Sequence, residues 1–144
     1  KLVNLKREKP QYKNLKYKKI LSYLTKMDNS KSDIGLIFKK KILETGTSNL
    51  LFIKNKKVYS PQKDYYEGNT YKFFHSKVKK IFKKDIFVNE LHNYDEILLI
   101  GSGKGVASVK TIKDIGWRRK NLNQYKIFLK YYRSAIIKCN QYRF

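Results

Sequence analysis

Apolar residues recur every three to four positions in three segments of the chain, which predicts three helices. The predicted helices cover residues 15–24, 70–82 and 122–142. The triplet Asp28-Asn29-Ser30 follows the first of them and has the side chains typical of a turn.

Short apolar runs rich in Ile, Leu, Val and Phe lie between these helices and predict strands. The predicted strands cover residues 33–38, 50–53, 58–60, 86–88, 96–100 and 106–112. The polar triplet Asn55-Lys56-Lys57 separates the second and third strands, which predicts a hairpin. The elements do not alternate regularly between strand and helix, so an α+β fold is predicted. No linker or internal repeat divides the 144 residues, and we expect a single domain over residues 1–144.

The net charge of +23 first suggests a nucleic-acid-binding protein, because such a charge attracts phosphate. However, the chain has 29 Lys and only 5 Arg, whereas recognition of phosphates and bases favours the Arg fork. The lysines are also spread along the chain, and codons for Lys, Asn, Ile, Tyr and Phe are all A/T-rich. We therefore expect a solvated basic surface, and an RNA- or ribosome-binding protein stays open as an alternative.

No stretch approaches the ~18 apolar residues of a membrane span, and no signal peptide is recognisable. The single cysteine, Cys139, excludes an internal disulfide, and no Cys or His spacing predicts a metal site. We expect a cytoplasmic protein without a membrane partner. The chain begins with Lys1 rather than Met, from which we expect that an N-terminal portion is absent.

Four separated segments contain residues with the chemistry of a cofactor site. They are residues 12–17 (YKNLKY), 43–50 (LETGTSNL), 58–61 with 67–70 (VYSP and EGNT), and 95–106 (DEILLIGSGKGV). In this order they resemble the class IV (branched-chain) aminotransferase and aminodeoxychorismate lyase family, over residues 13–132. The resemblance implies the cofactor-bearing C-terminal part of the D-amino-acid aminotransferase-like fold, with pyridoxal phosphate as cofactor, a homodimer, and an N-terminal domain not present here.

The resemblance also assigns chemical roles to three residues of the first two segments. Lys13 would be the Schiff-base lysine and the proton carrier, since an amine both holds the aldehyde and moves protons. Glu44 would bind the pyridine nitrogen and keep it protonated, which strengthens the ring as an electron sink. Tyr17 would reach the phenolic oxygen, with a core aromatic of the first helix as an equally good interpretation.

The later segments would bind the cofactor phosphate. Asn69 and Thr70 begin a predicted helix, where backbone N–H groups attract anions. Ser102 and Gly103 follow a buried strand and would form a second contact. The run of residues 101–105 is not a P-loop, because it lacks the Gly-Lys-Ser/Thr ending.

Within the family, residues 102–106 (SGKGV) are closer to the lyase branch than to the Thr-rich aminotransferase version. The resemblance therefore implies cleavage of 4-amino-4-deoxychorismate to 4-aminobenzoate and pyruvate in folate synthesis, with a small amino compound as substrate. A branched-chain or D-amino-acid aminotransferase is the alternative, and an inactive remnant is a further one. The chain departs from the family's pattern at Leu51, Ser60, Asn69, Tyr71 and Ser108.

Overall fold

A computed structural model describes residues 1–12, 14 and 16–139 of the chain. Ten strands are found among these residues: β1 (Leu2–Asn4), β2 (Gly35–Phe38), β3 (Lys41–Thr45), β4 (Asn49–Lys54), β5 (Lys57–Ser60), β6 (Ile81–Lys83), β7 (Glu96–Gly101), β8 (Gly105–Ser108), β9 (Thr111–Ile112) and β10 (Trp117–Arg118). The α-helices are α1 (Lys18–Leu24), α2 (Asn69–Lys77) and α3 (Asn123–Lys138), and 3-10 helices cover Val88–Asn93 and Lys113–Ile115.

The strands form three sheets. The largest has the order β6-β5-β4-β7-β8, and only its β5–β6 pair is parallel. In the second sheet β2 lies between β1, to which it is parallel, and β3, to which it is antiparallel. Strands β9 and β10 form a two-stranded antiparallel ribbon. This mixed architecture confirms the α+β prediction.

The core lies on both faces of β4, the central strand of the largest sheet. Because side chains alternate along a strand, Leu51 and Ile53 face one side while Leu50 and Phe52 face the other. The first pair packs in a cluster with residues of α2 and α3, including Phe74 and Phe128. The second pair packs with residues from β3, β7, β9, β10 and the first 3-10 helix. Burial on both faces explains why β4 reads as an uninterrupted apolar run.

A third cluster joins α1 to the small sheet. Ile20 and Leu24 of α1 pack with Ile34 and with apolar residues of β1 and β2. Gly46, just after β3, lies so close to this helix that an added Cβ would come within 3.2 Å of Ile20 and 3.1 Å of Leu24. The end of β3 and helix α1 are therefore held side by side, which positions the site described below.

The predicted helix over residues 70–82 is wrong at its C-terminal end. Helix α2 stops at Lys77, and Val78 is already extended, with φ −89° and ψ 134°. Ile81 instead begins β6, where it is in register with the buried Val58 of β5. Pairing with a buried strand outweighs the helical periodicity of this short segment.

Two predicted strands also differ from the structure. In the run 86–88, Phe87 makes only an isolated bridge with Lys41, and Val88 begins a 3-10 helix, since the Glu90 carboxylate accepts the Phe87 N–H. The predicted strand 106–112 is divided into β8 and β9. Strands β1, β3, β6 and β10 were not predicted, and the predicted helical residues 15 and 140–142 lie outside the described part of the chain.

Candidate active site

Glu44 is a buried carboxylate near the end of β3, with only 3% of its surface exposed. The Arg7 Nε donates a hydrogen bond to its Oε1 at 2.9 Å, which also makes an ion pair. Burial raises the pKa of Glu44 above its ordinary value, because a charge is costly where water is excluded. The Arg7 guanidinium and the Tyr66 backbone N–H act in the opposite direction on this pKa.

Arg7 also connects Glu44 with Tyr17. The centre of its guanidinium lies 6.0 Å from the centroid of the Tyr17 ring, and its Nη2 donates to the Gly46 carbonyl at 3.5 Å. Tyr17 is half-buried and immediately precedes α1. The structure therefore brings together two predicted site residues, Tyr17 and Glu44, through an arginine that was not predicted. The sequence did contain a feature that could have identified Arg7, because it is the one Arg among the first 117 residues.

Lys13, the predicted Schiff-base lysine, lies outside the described residues. The neighbouring Asn14 ties the segments on both sides together. Its Nδ2 donates to the backbone carbonyls of Glu8, Lys9 and Tyr12 at 3.0, 3.2 and 3.2 Å. Its Oδ1 accepts the backbone N–H of Lys16 at 2.8 Å. Asn14 thereby organises the connection between β1 and α1.

Asn49 fixes the start of α2. Its Nδ2 donates to the Tyr66 carbonyl at 2.5 Å, and its Oδ1 accepts the Gly68 N–H at 3.1 Å. Thr70 is buried and Asn69 is exposed at the beginning of the helix. Among the described residues no side chain caps α2, so its first N–H groups can bind an anion.

Ser102 and Gly103 lie in the exposed turn between β7 and β8. The turn follows Gly101, where an added Cβ would lie 3.2 Å from Ser48 Oγ and 3.3 Å from the Thr47 carbonyl oxygen. At Gly103 nothing lies within 4 Å of an added Cβ, so its backbone is open to a ligand.

Asp33 anchors this turn from the other side. Its buried carboxylate forms an ion pair with the Lys104 Nζ at 3.1 Å. The same Oδ2 accepts the hydroxyl groups of Thr45 at 2.9 Å and Thr47 at 2.5 Å. The turn between β7 and β8 is therefore tied to the residues that follow Glu44.

The connection from β3 to β4 is the meeting point of the predicted site. Glu44 lies at its beginning and Asn49 at its end, and the turn at Ser102 packs against its middle. The connection belongs to one of the four segments singled out in the sequence. Two others contact residues 47–49 through Gly68 and Gly101, and Tyr17 of the fourth is linked to Glu44 and Gly46 through Arg7.

Residues 1–112 match the family model described as amino-transferase class IV, which covers more than half of the 144 residues. The chain belongs to the class IV aminotransferase family. This confirms the predicted family, which implies pyridoxal phosphate as the cofactor. No curated protein matches the chain in sequence.

Solved structures with the same fold include lyases and aminotransferases. A protein from Legionella pneumophila described as a candidate 4-amino-4-deoxychorismate lyase has a TM-score of 0.77 and 18% identity, covering 93% of this chain and 54% of its own. A second candidate lyase, from Haemophilus somnus, has a TM-score of 0.59 and 28% identity, covering 73% and 53%. A hypothetical aminotransferase from Mycobacterium tuberculosis, in a form with bound pyridoxal phosphate, has a TM-score of 0.72 and 18% identity, covering 89% and 47%. The chain thus spans about half the length of these relatives.

The residues present in this class IV chain fit its cofactor. A buried carboxylate suits a protonated ring nitrogen, the uncapped start of α2 suits a phosphate, and the open backbone at Gly103 allows close approach. None of the helices in the described ranges combines the length and hydrophobicity of a membrane span.

Three departures from the family's pattern have partners within this fold. The hydroxyl groups of Ser60 and Tyr71 are hydrogen-bonded to each other at 2.9 Å. Arg119 Nη1 donates to Ser108 Oγ at 3.1 Å. Leu51 is fully buried in the core. Asn69, the first residue of α2, is exposed.

Proposed function

We propose that this chain carries the cofactor-binding part of a lyase that converts 4-amino-4-deoxychorismate to 4-aminobenzoate and pyruvate. The observation that carries the proposal is the buried carboxylate of Glu44, which Arg7 connects to Tyr17, while Asn49 holds the uncapped start of α2 at the other end of the β3–β4 connection. The lyase branch is supported by residues 102–106 (SGKGV) and by the 28% identity with the Haemophilus somnus candidate lyase. When bound, pyridoxal phosphate supplies an electron sink for the substrate carbon.

Lys13 is the proposed covalent and proton-carrying residue. It precedes Tyr17 by four positions, which the backbone spans over at most about 14 Å. Tyr17 lies beside Arg7, which binds Glu44, and this neighbourhood in sequence supports the assignment of Lys13 to the same site. In the reaction, the Lys13 amine removes a ring proton of the substrate. The carbon–oxygen bond to the enolpyruvyl group breaks as the ring becomes aromatic, and the released enolpyruvate takes up a proton at its methylene carbon to become pyruvate.

Glu44 and the phosphate contacts hold the cofactor in place for this step. The Glu44 carboxylate holds a proton on the pyridine nitrogen by accepting its N–H. The N–H groups of Asn69 and Thr70, together with Ser102 and Gly103, bind the phosphate. Tyr17 orients the opposite edge of the ring through its hydroxyl group. Each of these roles follows the family resemblance, and the contacts through Arg7, Asn49 and Asp33 support it.

Amino-group transfer to a 2-oxo acid is the second candidate function. It is supported by the aminotransferase structures of the same fold, whose TM-scores overlap with those of the lyases. Both functions need the same lysine and the same carboxylate, and they differ in the fate of the substrate. A homodimer is proposed for either function.

Borohydride reduction in the presence of pyridoxal phosphate, followed by peptide mass mapping, tests the site. We expect a stable adduct on the peptide that contains Lys13, and none in Lys13→Ala. Lys18→Ala, which removes an exposed lysine of α1, is the matched control and should keep the adduct. An adduct on another lysine would refute the assignment of the site.

Product analysis then separates the two functions. The lyase should form 4-aminobenzoate and pyruvate in equal amounts from 4-amino-4-deoxychorismate, without a 2-oxo acid being added. Formation of an amino acid only when an amino donor and a 2-oxo acid are both supplied would establish the aminotransferase instead.

A further inference from the structure

Arg7 stands apart from the other basic residues of this chain. Most cations here are lysines on the surface, whereas the Arg7 side chain is only 15% exposed. It makes three contacts, which are the Glu44 carboxylate, the Gly46 carbonyl and the ring of Tyr17. A guanidinium presents its donors in a fixed planar fork, so it can satisfy these three groups together in a way that lysine cannot.

We propose that Arg7 is a positioning residue that sets the charge and direction of Glu44 toward the pyridine nitrogen of the cofactor. The proposal rests on the proposed function and deepens it. Arg7 binds one carboxylate oxygen, Oε1, and the Tyr66 N–H also contacts this carboxylate, whose remaining lone pairs can accept the ring N–H. Its guanidinium also lies over the Tyr17 ring. Arg7 therefore contacts both Glu44 and Tyr17, the two residues proposed to bind opposite edges of the cofactor ring.

Arg7 also affects the ionisation state of Glu44. A carboxylate with 3% exposure tends to take up a proton, and a protonated Glu44 could not hold a proton on the ring nitrogen. The nearby positive charge favours the ionised form. Because each oxygen of an ionised carboxylate has two lone pairs, Glu44 can serve Arg7 and the ring together.

The experiment compares binding of pyridoxal phosphate with binding of its carbocyclic analogue, in which a CH group replaces the pyridine nitrogen. Dissociation constants are measured by absorbance titration of the full chain. We expect Arg7→Met to weaken binding of pyridoxal phosphate by about tenfold, the size of one charge-assisted hydrogen bond. Binding of the analogue should change less than about twofold, because it offers Glu44 no N–H.

Three further comparisons separate a loss of this contact from a loss of folding. Arg7→Lys restores the charge without the fork and should recover part of the lost affinity. Lys6→Met removes the neighbouring cation, which pairs with Asp64 at 2.8 Å, and should leave both affinities unchanged. In the background of Glu44→Gln, Arg7→Met should have little additional effect, because Arg7 acts through Glu44.

The outcomes separate this inference from the function on which it rests. If the unaltered chain binds neither ligand, the proposed function fails and this inference fails with it. If the chain binds pyridoxal phosphate and Arg7→Met weakens both ligands equally, or neither, the proposed function stands and Arg7 has no role through the ring nitrogen. Additive effects of the Arg7 and Glu44 variants would also overturn the inference.

Discussion

The hydroxyl groups of Ser60 and Tyr71 lie 2.9 Å apart where the end of β5 meets the first turn of α2. Both side chains are buried, with 0% and 1% of their surfaces exposed. These are two positions at which the chain departs from the family's pattern. Their hydrogen bond shows that the two departures complement each other, since each supplies the partner that the other needs.

Removing one of these hydroxyl groups should destabilise the fold. Tyr71→Phe leaves the Ser60 hydroxyl group without its partner at 2.9 Å and removes the contact with the Tyr65 hydroxyl at 3.2 Å. We expect a loss of about 1 kcal/mol in the free energy of unfolding, measured by urea denaturation. Tyr131→Phe, at an exposed position on α3, is the control and should have no measurable effect. Since replacing both partners costs less than orphaning one, Ser60→Ala with Tyr71→Phe should cost less than the sum of the two; additive losses would contradict the pairing.

Glu96 should be required for the stability of α3. Its side chain is buried, and its two oxygens accept the N–H groups of Gln124 at 2.8 Å and Tyr125 at 2.9 Å. A negative charge at this end also matches the helix dipole. Glu96→Gln should lower the free energy of unfolding by about 1–3 kcal/mol in a denaturation experiment. Asp64→Asn breaks a half-exposed ion pair and should cost less than about 1 kcal/mol; equal losses would show that Glu96 does not cap the helix.

The free energy of unfolding should depend on pH through the protonation of Glu44. Burial raises the pKa of this carboxyl above its ordinary value of 4.5, so the folded chain holds the proton more strongly than the unfolded chain does. The contribution of Glu44 to stability is therefore fully present below pH 4.5 and is lost as the pH rises through its folded pKa.

Denaturation of the cofactor-free protein between about pH 4 and pH 7 measures this loss. The stability of the unaltered chain relative to Glu44→Gln should fall as the pH rises over this range. Glu8→Gln, which removes an exposed carboxylate, should show no such trend. A difference that increases with pH would mean that Arg7 lowers the pKa of Glu44 by more than burial raises it.

Gly105 should not tolerate a side chain. Its φ is +65°, and an added Cβ would lie 2.7 Å from Tyr132 Cε1 on α3. Gly116 has the same φ, but nothing lies within 4 Å of its added Cβ. Gly116→Ala should therefore cost about 1 kcal/mol of backbone strain, measured by thermal or urea denaturation. Gly105→Ala should cost clearly more, and equal costs would show that α3 does not pack closely on this turn.

The prediction of the fold was most accurate where a run of apolar residues fitted only one type of secondary structure. Strands β4, β5 and β7 are buried in a large sheet, and their apolar runs identified them. Strand β6 was taken as helix because Ile81 fits the helical stripe of α2, and only its pairing with β5 decides otherwise. Strand β3 follows Lys39 and Lys40 and contains Glu44, so its polar residues hid it from a search for apolar runs.

The site was predictable in part. Glu44 and the start of α2 were proposed as site residues because their segments resemble a family, and this assignment stays a prediction. The structure adds the contacts of Asn49 with Tyr66 and Gly68, just before α2. Arg7 was missed because it lies within a run of charged residues that looks like a solvated surface. Its contact with Glu44 spans 37 positions in sequence, and only the pairing of β1, β2 and β3 brings the two together. The role of Lys13 stays a prediction.

Strand β4 begins at Asn49, which is in register with Ile100 of β7, and from Phe52 onward β4 is paired with β5 on its other edge as well. Backbone amides in such a strand exchange their protons with water only when most of the domain unfolds. The rim of the site that Asn49 forms is thus continuous with the doubly paired part of β4, which we expect to open slowly. We therefore expect that the elements outside this sheet, such as α1 and α2, rather than β4, move when the cofactor ring binds.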